Sequence, residues 1–477
     1  MSNFSNEKTV YNAAGADQSL SSDDELAWTQ EEELKARRKV DSSVLPLLFL
    51  GLLVFQLDRM NLASALTAGF AKNIHINQST INLGNQLMFM GIVVLEIPFN
   101  LILQRLGPRK WISAQVCLFG FIAIMQVFVK SRAGFLASRL FLGFAEAGYI
   151  PGASYTLSCW YTKRELAKRI AILFFGMFGG NALSPILATG ILKLAGRGGL
   201  NGWQWLFLRK FEGLFTIFVA SMLFLLLPGS PETPRPLLSP GLVHFSLDSP
   251  ERNGADGARI SFRVVWKTIM HYKRWPHYVS MFCVFSTWSP LTTYTPSIIL
   301  ALGFDRTAAN ALSAIGASLA LLVVFCIAYI SDKTNKRGLA VILGQTSYLI
   351  SLIIAHSVQP HVGKWSRWGL WTLVNAFAVG YHPSHNSWVQ LNCNDSGERS
   401  IAVAMWVMSA ISGLMVGTQY FQGGDAPRYQ TGLRTMIIMV SVGIAAALVQ
   451  EVIYFTHNRR VKRSAPTDSS EAYAYVL

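Results

Sequence analysis

Asp58 and Arg59 are adjacent in a stretch of otherwise apolar residues that begins near Val44. Arg139 and Glu146, seven residues apart, lie in another such stretch. Ionisable side chains are expensive in hydrocarbon, so a chain that keeps four of them there is expected to use them. The chemistry they offer is reversible: a carboxyl group held away from water can take up and release a proton near neutral pH. No nucleophile and base stand at catalytic spacing, and no glycine loop would cradle a phosphate, so an enzyme is not expected. The pattern reads as passage of a small charged solute through a membrane. The alternative for the same four residues is an ion-pair network that only locks helices together.

Groups of this kind need long apolar elements to hold them. The chain has 477 residues, of which 51% are hydrophobic and 14% charged. Twelve apolar stretches are expected to span a bilayer: 43–66, 82–104, 111–130, 134–158, 170–194, 206–227, 277–300, 309–331, 339–358, 367–390, 400–420 and 434–456. A hydrocarbon core of about 30 Å needs about 20 such residues per helix. As a soluble protein, twelve buried helices would leave almost no polar surface. The expected class is therefore an all-α integral membrane protein with twelve transmembrane helices.

The formal charge of +15 invites a nucleic-acid partner, but its distribution argues against one. Basic residues gather between alternate spans and near both ends: Lys35, Arg37, Arg38 and Lys39; Lys163, Arg164, Lys168 and Arg169; Arg459, Arg460, Lys462 and Arg463. This is the positive-inside pattern, and it places both termini in the cytoplasm. Attraction to anionic membrane lipid follows from the same topology. The five cysteines have neither metal-ligand nor redox spacing and read as small apolar residues, so no metal or cofactor is expected. No cleavable signal peptide is visible, which leaves the first span to act as the targeting signal.

The expected organisation is a disordered cytoplasmic tail (1–42), a six-span half (43–227), a cytoplasmic linker (228–276), a second six-span half (277–456) and a second cytoplasmic tail (457–477). The linker opens proline-rich and closes on "FRVVWKTIMHYKRW", which is patterned as an amphipathic helix on the membrane face. Short basic turns, "QRLGPRK" (104–110) and "SDKTNKRG" (331–338), follow the second and eighth spans. Such internal repeats are common in secondary transporters.

Within the spans, Asp58 and Asn61 share a helix face and Arg59 points about 100° away. Arg139 and Glu146 lie on one face two turns apart, too distant to neutralise each other, so their partners belong on another helix. Glu96, near the expected inner end of its span, reads as a latch to a basic loop. In the second half the polar candidates for solute contact are Tyr294, Asn375, Tyr381, His382, His385 and Asn386. Each has the blander alternative of bonding a neighbouring helix. His382 and His385 offer a further proton load, since imidazole titrates near neutral pH. Small residues at Ser409, Gly413 and Gly417 permit close helix approach. Asn77-Gln-Ser, in the first outer loop, is a glycan acceptor sequence.

Several of these stretches resemble the major facilitator superfamily. "RLGPRK" (105–110) is a reduced form of its loop motif after the second helix, and "RLFLGFAEAG" (139–148) is similar to its fourth-helix motif. More narrowly, "LDRMNLASA" (57–65), "EIPFN" (96–100), "AEAGYIPG" (145–152), "SCWYTKRELAKRIA" (158–171), "GWQWLF" (202–207), "LPGSPETP" (227–234), "YTPSII" (294–299) and "GGDAPRYQTG" (423–432) resemble the fungal anion:cation symporters, the allantoate, nicotinate and pantothenate permease group. The resemblance implies the major facilitator fold and a monomer in the plasma membrane. It further implies proton-coupled symport of a small organic anion by alternating access. The first and fourth helices would border a central cavity. By likeness to bacterial sugar-acid symporters of the wider family, Asp58 and Glu146 would carry protons and Arg139 would orient Glu146. Arg59, with Asn61 nearby, would hold the substrate carboxylate, to which its forked guanidinium is suited. The chain departs from the pattern at "LRKF" (208–211), an insertion at the mouth of the sixth span, and at the unusually polar tenth span, "GYHPSHNSWVQLN". The same fold also serves exporters and intracellular carriers of secondary metabolites. A non-transporting nutrient sensor would be expected to carry a long structured cytoplasmic extension.

Overall fold

The computed structural model describes residues 30–161, 163–194, 196, 202–208, 212–228, 262–393, 396–464 and 475–476. Among these residues there are helices and turns but no strands. The helices are α1 (Gln30–Ser43), α2 (Leu45–Thr67), α3 (Phe70–Asn73), α4 (Gln78–Leu106), α5 (Pro108–Met125), α6 (Arg132–Glu146), α7 (Tyr149–Trp160), α8 (Lys163–Ile191), α9 (Gly202–Leu208) and α10 (Glu212–Leu226). After the linker come α11 (Phe262–Ile269), α12 (Trp275–Ser286), α13 (Trp288–Ala301), α14 (Arg306–Thr334), α15 (Arg337–Val358), α16 (Lys364–Phe377), α17 (His382–Leu391), α18 (Ser396–Gly417) and α19 (Gln430–Ser464). Each of the twelve apolar stretches falls on one of these helices or on a consecutive pair. Six helical segments are unbroken and apolar enough to cross a membrane by length and composition. The "LRKF" insertion falls mostly on residues 209–211, outside the described residues, as does most of the linker.

The breaks are where the polar residues sit. The fourth span divides into α6 and α7 at Ala147 and Gly148, where Gly148 has φ +76°. Helix interruption frees backbone groups that lipid cannot satisfy, so protein side chains must. Glu96 Oε2 accepts a bond from the Gly148 N–H at 3.0 Å. Gln115 Nε2 donates to the Ala147 carbonyl. Glu96 is therefore no latch to a basic loop: it secures the backbone of the broken helix from within the bundle. The tenth span is likewise broken between α16 and α17.

Neighbouring helix backbones come closest at two glycines. A Cβ on Gly143 would collide with the Met88 carbonyl oxygen, and one on Gly417 with that of Ser286. The first brings α6 onto α4 and the second brings α18 onto α12.

Both expected tails need correction. The first does not remain disordered to residue 42, because α1 is helical from Gln30. Val40 is buried at its inner end. Asp41 accepts from Tyr161 Oη at 2.7 Å and pairs with Arg169 at 2.9 Å. Burial opposes the charge on Asp41, but the Arg169 and Tyr161 contacts outweigh it and hold the carboxyl below its usual range. The second tail begins later than expected, since α19 continues to Ser464. Tyr475 and Val476 then return to the bundle. The Val476 N–H donates to Asn392 Oδ1 at 2.7 Å, and Trp388 Nε1 donates to the Val476 carbonyl at 2.9 Å. Tyr475 stacks on Tyr454 with ring centroids 4.3 Å apart. In the linker, α11 leaves Trp266, Met270 and Tyr272 exposed beside it, as suits a membrane interface.

Candidate functional site

The two parts of the chain on either side of the linker meet around a small central cavity. It is lined from α2 by Gln56, Arg59, Met60 and Ala63, from α4 by Asn85, Met88 and Phe89, and from α6 by Arg139. Trp288, Thr292 and Thr293 of α13 and Leu414 of α18 complete the wall. Its volume is about 40 Å³, room for a water molecule or two and too little for an organic solute.

Arg59, Arg139 and Glu146 come together here, in an arrangement that spacing did not show. Arg59 Nε donates to Glu146 Oε2 at 2.6 Å, joining α2 to α6. Its guanidinium also lies over the Phe55 ring, 4.2 Å from the centroid. Arg139 Nη2 donates to Asn85 Oδ1 at 2.6 Å. Arg139 therefore does not orient Glu146 through a hydrogen bond: it is held by Asn85, and Glu146 is held by Arg59. Arg59 Nη2, and Nε and Nη1 of Arg139, are buried with no hydrogen-bond partner among the described residues. Asp58 is turned toward α10, where Thr216 Oγ1 stands 3.5 Å from Oδ2. Adjacent residues on a helix diverge, and Arg59 follows the cavity face while Asp58 follows the α10 face.

The other expected contacts are distributed elsewhere. Asn61 is buried on α2 away from the cavity wall. Tyr294 bonds Asn82 and stacks toward Phe421 and Tyr429. Asn375 Nδ2 bonds Thr295 Oγ1 at 3.2 Å. Tyr381 approaches Met281 Sδ at 3.9 Å. His382 packs among Phe174, Phe178, Phe285 and Trp406, with centroids 4.7–5.6 Å away. His385 faces His277, and Asn386 accepts a bond from Gln390. None of the seven lines the cavity. Sequence reasoning missed Gln56, Asn85, Thr292 and Thr293, which do. Gln56 lies one turn before Arg59, and the two threonines immediately precede Tyr294; both relations are visible in the chain.

Polar bonds close the end of the bundle that carries Thr67 and Gln78. Gln78 and Asn82 donate to the Phe421 carbonyl, each at 3.1 Å. Asn85 Nδ2 reaches Thr293 Oγ1 at 3.3 Å, and Asn310 Nδ2 reaches Thr67 Oγ1 at 2.9 Å. All of these cross between the parts before and after the linker. Toward the opposite, basic end, Phe178 of α8 packs on Trp288 and His382. Asn77 is exposed and caps α4 by accepting from the Thr80 N–H at 2.9 Å.

A helical bundle with a central charged cavity, polar contacts closing one end and aromatic contacts closing the other is the architecture of a membrane carrier. The model of the Major Facilitator Superfamily matches residues 48–418, and the chain belongs to that family. It is thus a multi-pass membrane transporter of small molecules and not an enzyme. Among curated relatives, the chain is 25% identical over 467 residues to the uncharacterized transporter YIL166C of Saccharomyces cerevisiae, covering 95% of this chain and 85% of that one. It is 27% identical over 458 residues to the MFS-type transporter cnsO of Penicillium expansum, covering 92% and 86%. Among solved structures, the proton:xylose symporter XylE bound to 6-bromo-6-deoxy-D-glucose superposes with a TM-score of 0.68 at 14% identity, covering 86% of this chain and 95% of that one. A bacterial homolog of the human lysosomal transporter Spinster, inward-facing and occupied, gives 0.63 at 15% identity, covering 88% and 97%. At these identities the structures support the fold alone.

Proposed function

We propose that the protein is a proton-coupled symporter of a small organic anion, akin to the allantoate, nicotinate and pantothenate permease group. One observation carries the reading: two guanidiniums with unpartnered buried N–H groups line a cavity, and Glu146 pairs with one of them. Buried donors without acceptors are costly, and a carboxylate entering an enlarged cavity would satisfy them. Gln56, Asn85, Thr292 and Thr293 add uncharged polar contacts around the same space.

The Arg59–Glu146 bond supplies a coupling device. A proton on Glu146 discharges the ion pair and frees Arg59 to bind the solute anion. Conversely, an anion on Arg59 draws it from Glu146 and favours the protonated acid. Each ligand thereby strengthens the other, the reciprocity that linkage requires. The cavity opens and closes by alternating access as the bonds between Gln78, Asn82 and Phe421 break and re-form. We place the protein in the plasma membrane as a monomer with both termini and the linker cytoplasmic, in contact with anionic lipid through the basic end. A tag after Leu477 is expected to be labelled only in permeabilised cells; labelling in intact cells would overturn the orientation. Asn77, exposed at the other end, is the acceptor for a glycan in this arrangement.

The test is uptake of a panel of carboxylated solutes by yeast lacking its own permeases, at pH 5 and pH 7. At least one carboxylate is expected to accumulate faster at pH 5. Uptake confined to neutral or cationic solutes, or export of carboxylates without uptake, would refute the reading.

A further inference from the structure

We infer that His277, His385 and Tyr454 form a second proton-binding site, confined to the part of the chain after the linker and separate from Arg59 and Glu146. His277 Nδ1 faces His385 Nε2 at 3.1 Å, and His277 Nε2 faces the Tyr454 hydroxyl at 3.2 Å. Both imidazoles are fully buried. Three helices contribute: α12, α17 and α19. The chain of contacts ends at His385 Nδ1, which is buried and has no hydrogen-bond partner.

Counting hydrogens shows why this arrangement is open to a proton. A neutral imidazole carries one N–H and one lone pair. One hydrogen must lie between the two facing ring nitrogens. If His385 donates it, His277 turns its own N–H to Tyr454 and His385 Nδ1 is left as a bare lone pair. If His277 donates it, Tyr454 donates to His277 and His385 carries an N–H with no acceptor. Both neutral arrangements leave His385 Nδ1 without a partner, the first as a lone pair and the second as an N–H. In the first, an added proton forms an N–H bond at His385 Nδ1 and breaks none. The resulting imidazolium keeps its Nε2–H bonded to His277, which shares the charge.

The nearest fixed charge is itself paired. Arg274, three residues before His277 and just ahead of α12, would repel the imidazolium, but Arg274 is paired with Glu398 of α18 at 2.8 Å. Tyr381, at the break before α17, approaches His385 with ring centroids 6.2 Å apart, and His382 lies one turn before His385. The edge of Trp388 packs on His277 with centroids 4.4 Å apart. Gln450, one turn before Tyr454 on α19, is fully buried with both amide atoms unpartnered. Among the described residues, no group of three His, Cys, Asp or Glu is placed to hold a metal ion. The role of the site in coupling rests on the symport reading; its capacity to bind a proton does not.

The test is a pH titration of the purified full chain in lipid nanodiscs, with histidine ring nitrogens labelled by ¹⁵N and read by NMR. The probe is the proton itself. One imidazolium step between pH 8 and pH 5 is expected to vanish in His385→Gln and to move by at least one pH unit in Tyr454→Phe. The phenylalanine keeps the ring that stacks on Tyr475, so this second variant guards against loss of folding. Glu146→Gln is expected to leave the step in place. Titrations that superimpose for parent, His385→Gln and Tyr454→Phe would overturn the inference. A step lost equally in Glu146→Gln would overturn the claim of a separate site. A histidine step that persists when uptake shows no acid dependence would refute the symport reading alone.

Discussion

Arg59→Lys is expected to lower carboxylate uptake at least tenfold while the protein still reaches the membrane. The arginine has two tasks that need different nitrogens. Nε is committed to Glu146, whereas Nη2 is buried and unpartnered beside the cavity. A lysine keeps the charge but presents one compact ammonium, which cannot hold Glu146 and grip a carboxylate with a planar fork. A hydrogen bond to a charged group is worth about 1.5–3 kcal/mol, or roughly a ten- to hundredfold change. The Phe55 ring beneath the guanidinium adds a stacking contact that the ammonium does not match in shape. Initial rates over a range of solute concentration would separate the effects. Unchanged affinity and unchanged rate in the lysine variant would remove Arg59 from the anion site.

Glu146→Gln is expected to abolish accumulation against a gradient while exchange of solute across the membrane continues. The amide carbonyl can still accept from Arg59, so the geometry of α2 against α6 is preserved. What is lost is the ability to gain and release a proton. Moving one net charge across 100 mV takes about 2.3 kcal/mol, so an anion entering a negative interior needs co-entry of positive charge. One proton per monovalent anion makes the step electroneutral, and a second makes it responsive to the potential. The glutamine variant mimics permanent protonation, so its uptake should also lose the preference for acid. Asp58→Asn is expected to be milder, because Asp58 faces Thr216 of α10 and not the cavity. Proteoliposomes with an imposed pH gradient and with counterflow provide the two readouts. Full accumulation by the Glu146→Gln variant at pH 5 would make this carboxylate structural.

Much of the architecture was legible along the chain because bilayer solvation acts on residues one stretch at a time. Apolar run length alone located twelve segments, and each falls on helix. The basic clusters carry an orientation for the same local reason. The charged residues stood out as well, since Asp58, Arg59, Arg139 and Glu146 contrast with apolar neighbours. Their partners did not. Helical spacing showed that Arg139 and Glu146 were too far apart to pair, but it could not say that Arg59 would cross to Glu146 and Asn85 to Arg139. Those bonds join residues 87 and 54 positions apart, and they depend on how closely α2, α4 and α6 approach.

The polar residues after the linker show the same limit. Tyr294, Asn375 and Tyr381 were conspicuous by type, yet each is satisfied by a neighbouring helix, while the plainer Thr292 and Thr293 face the cavity. His277 lies at the edge of an expected span, and only folding sets it against His385 and Tyr454. The tails depart from their composition because composition does not record docking. Tyr475 and Val476 are ordered by Tyr454, Trp388 and Asn392, which are close only in the folded bundle. Segment type, membrane placement and the presence of expensive charges are properties of local hydration, and the residues themselves determine them. Which nitrogen meets which oxygen, and which side chains share a cavity, are set by the packing of one helix against another. Tertiary structure alone decides them.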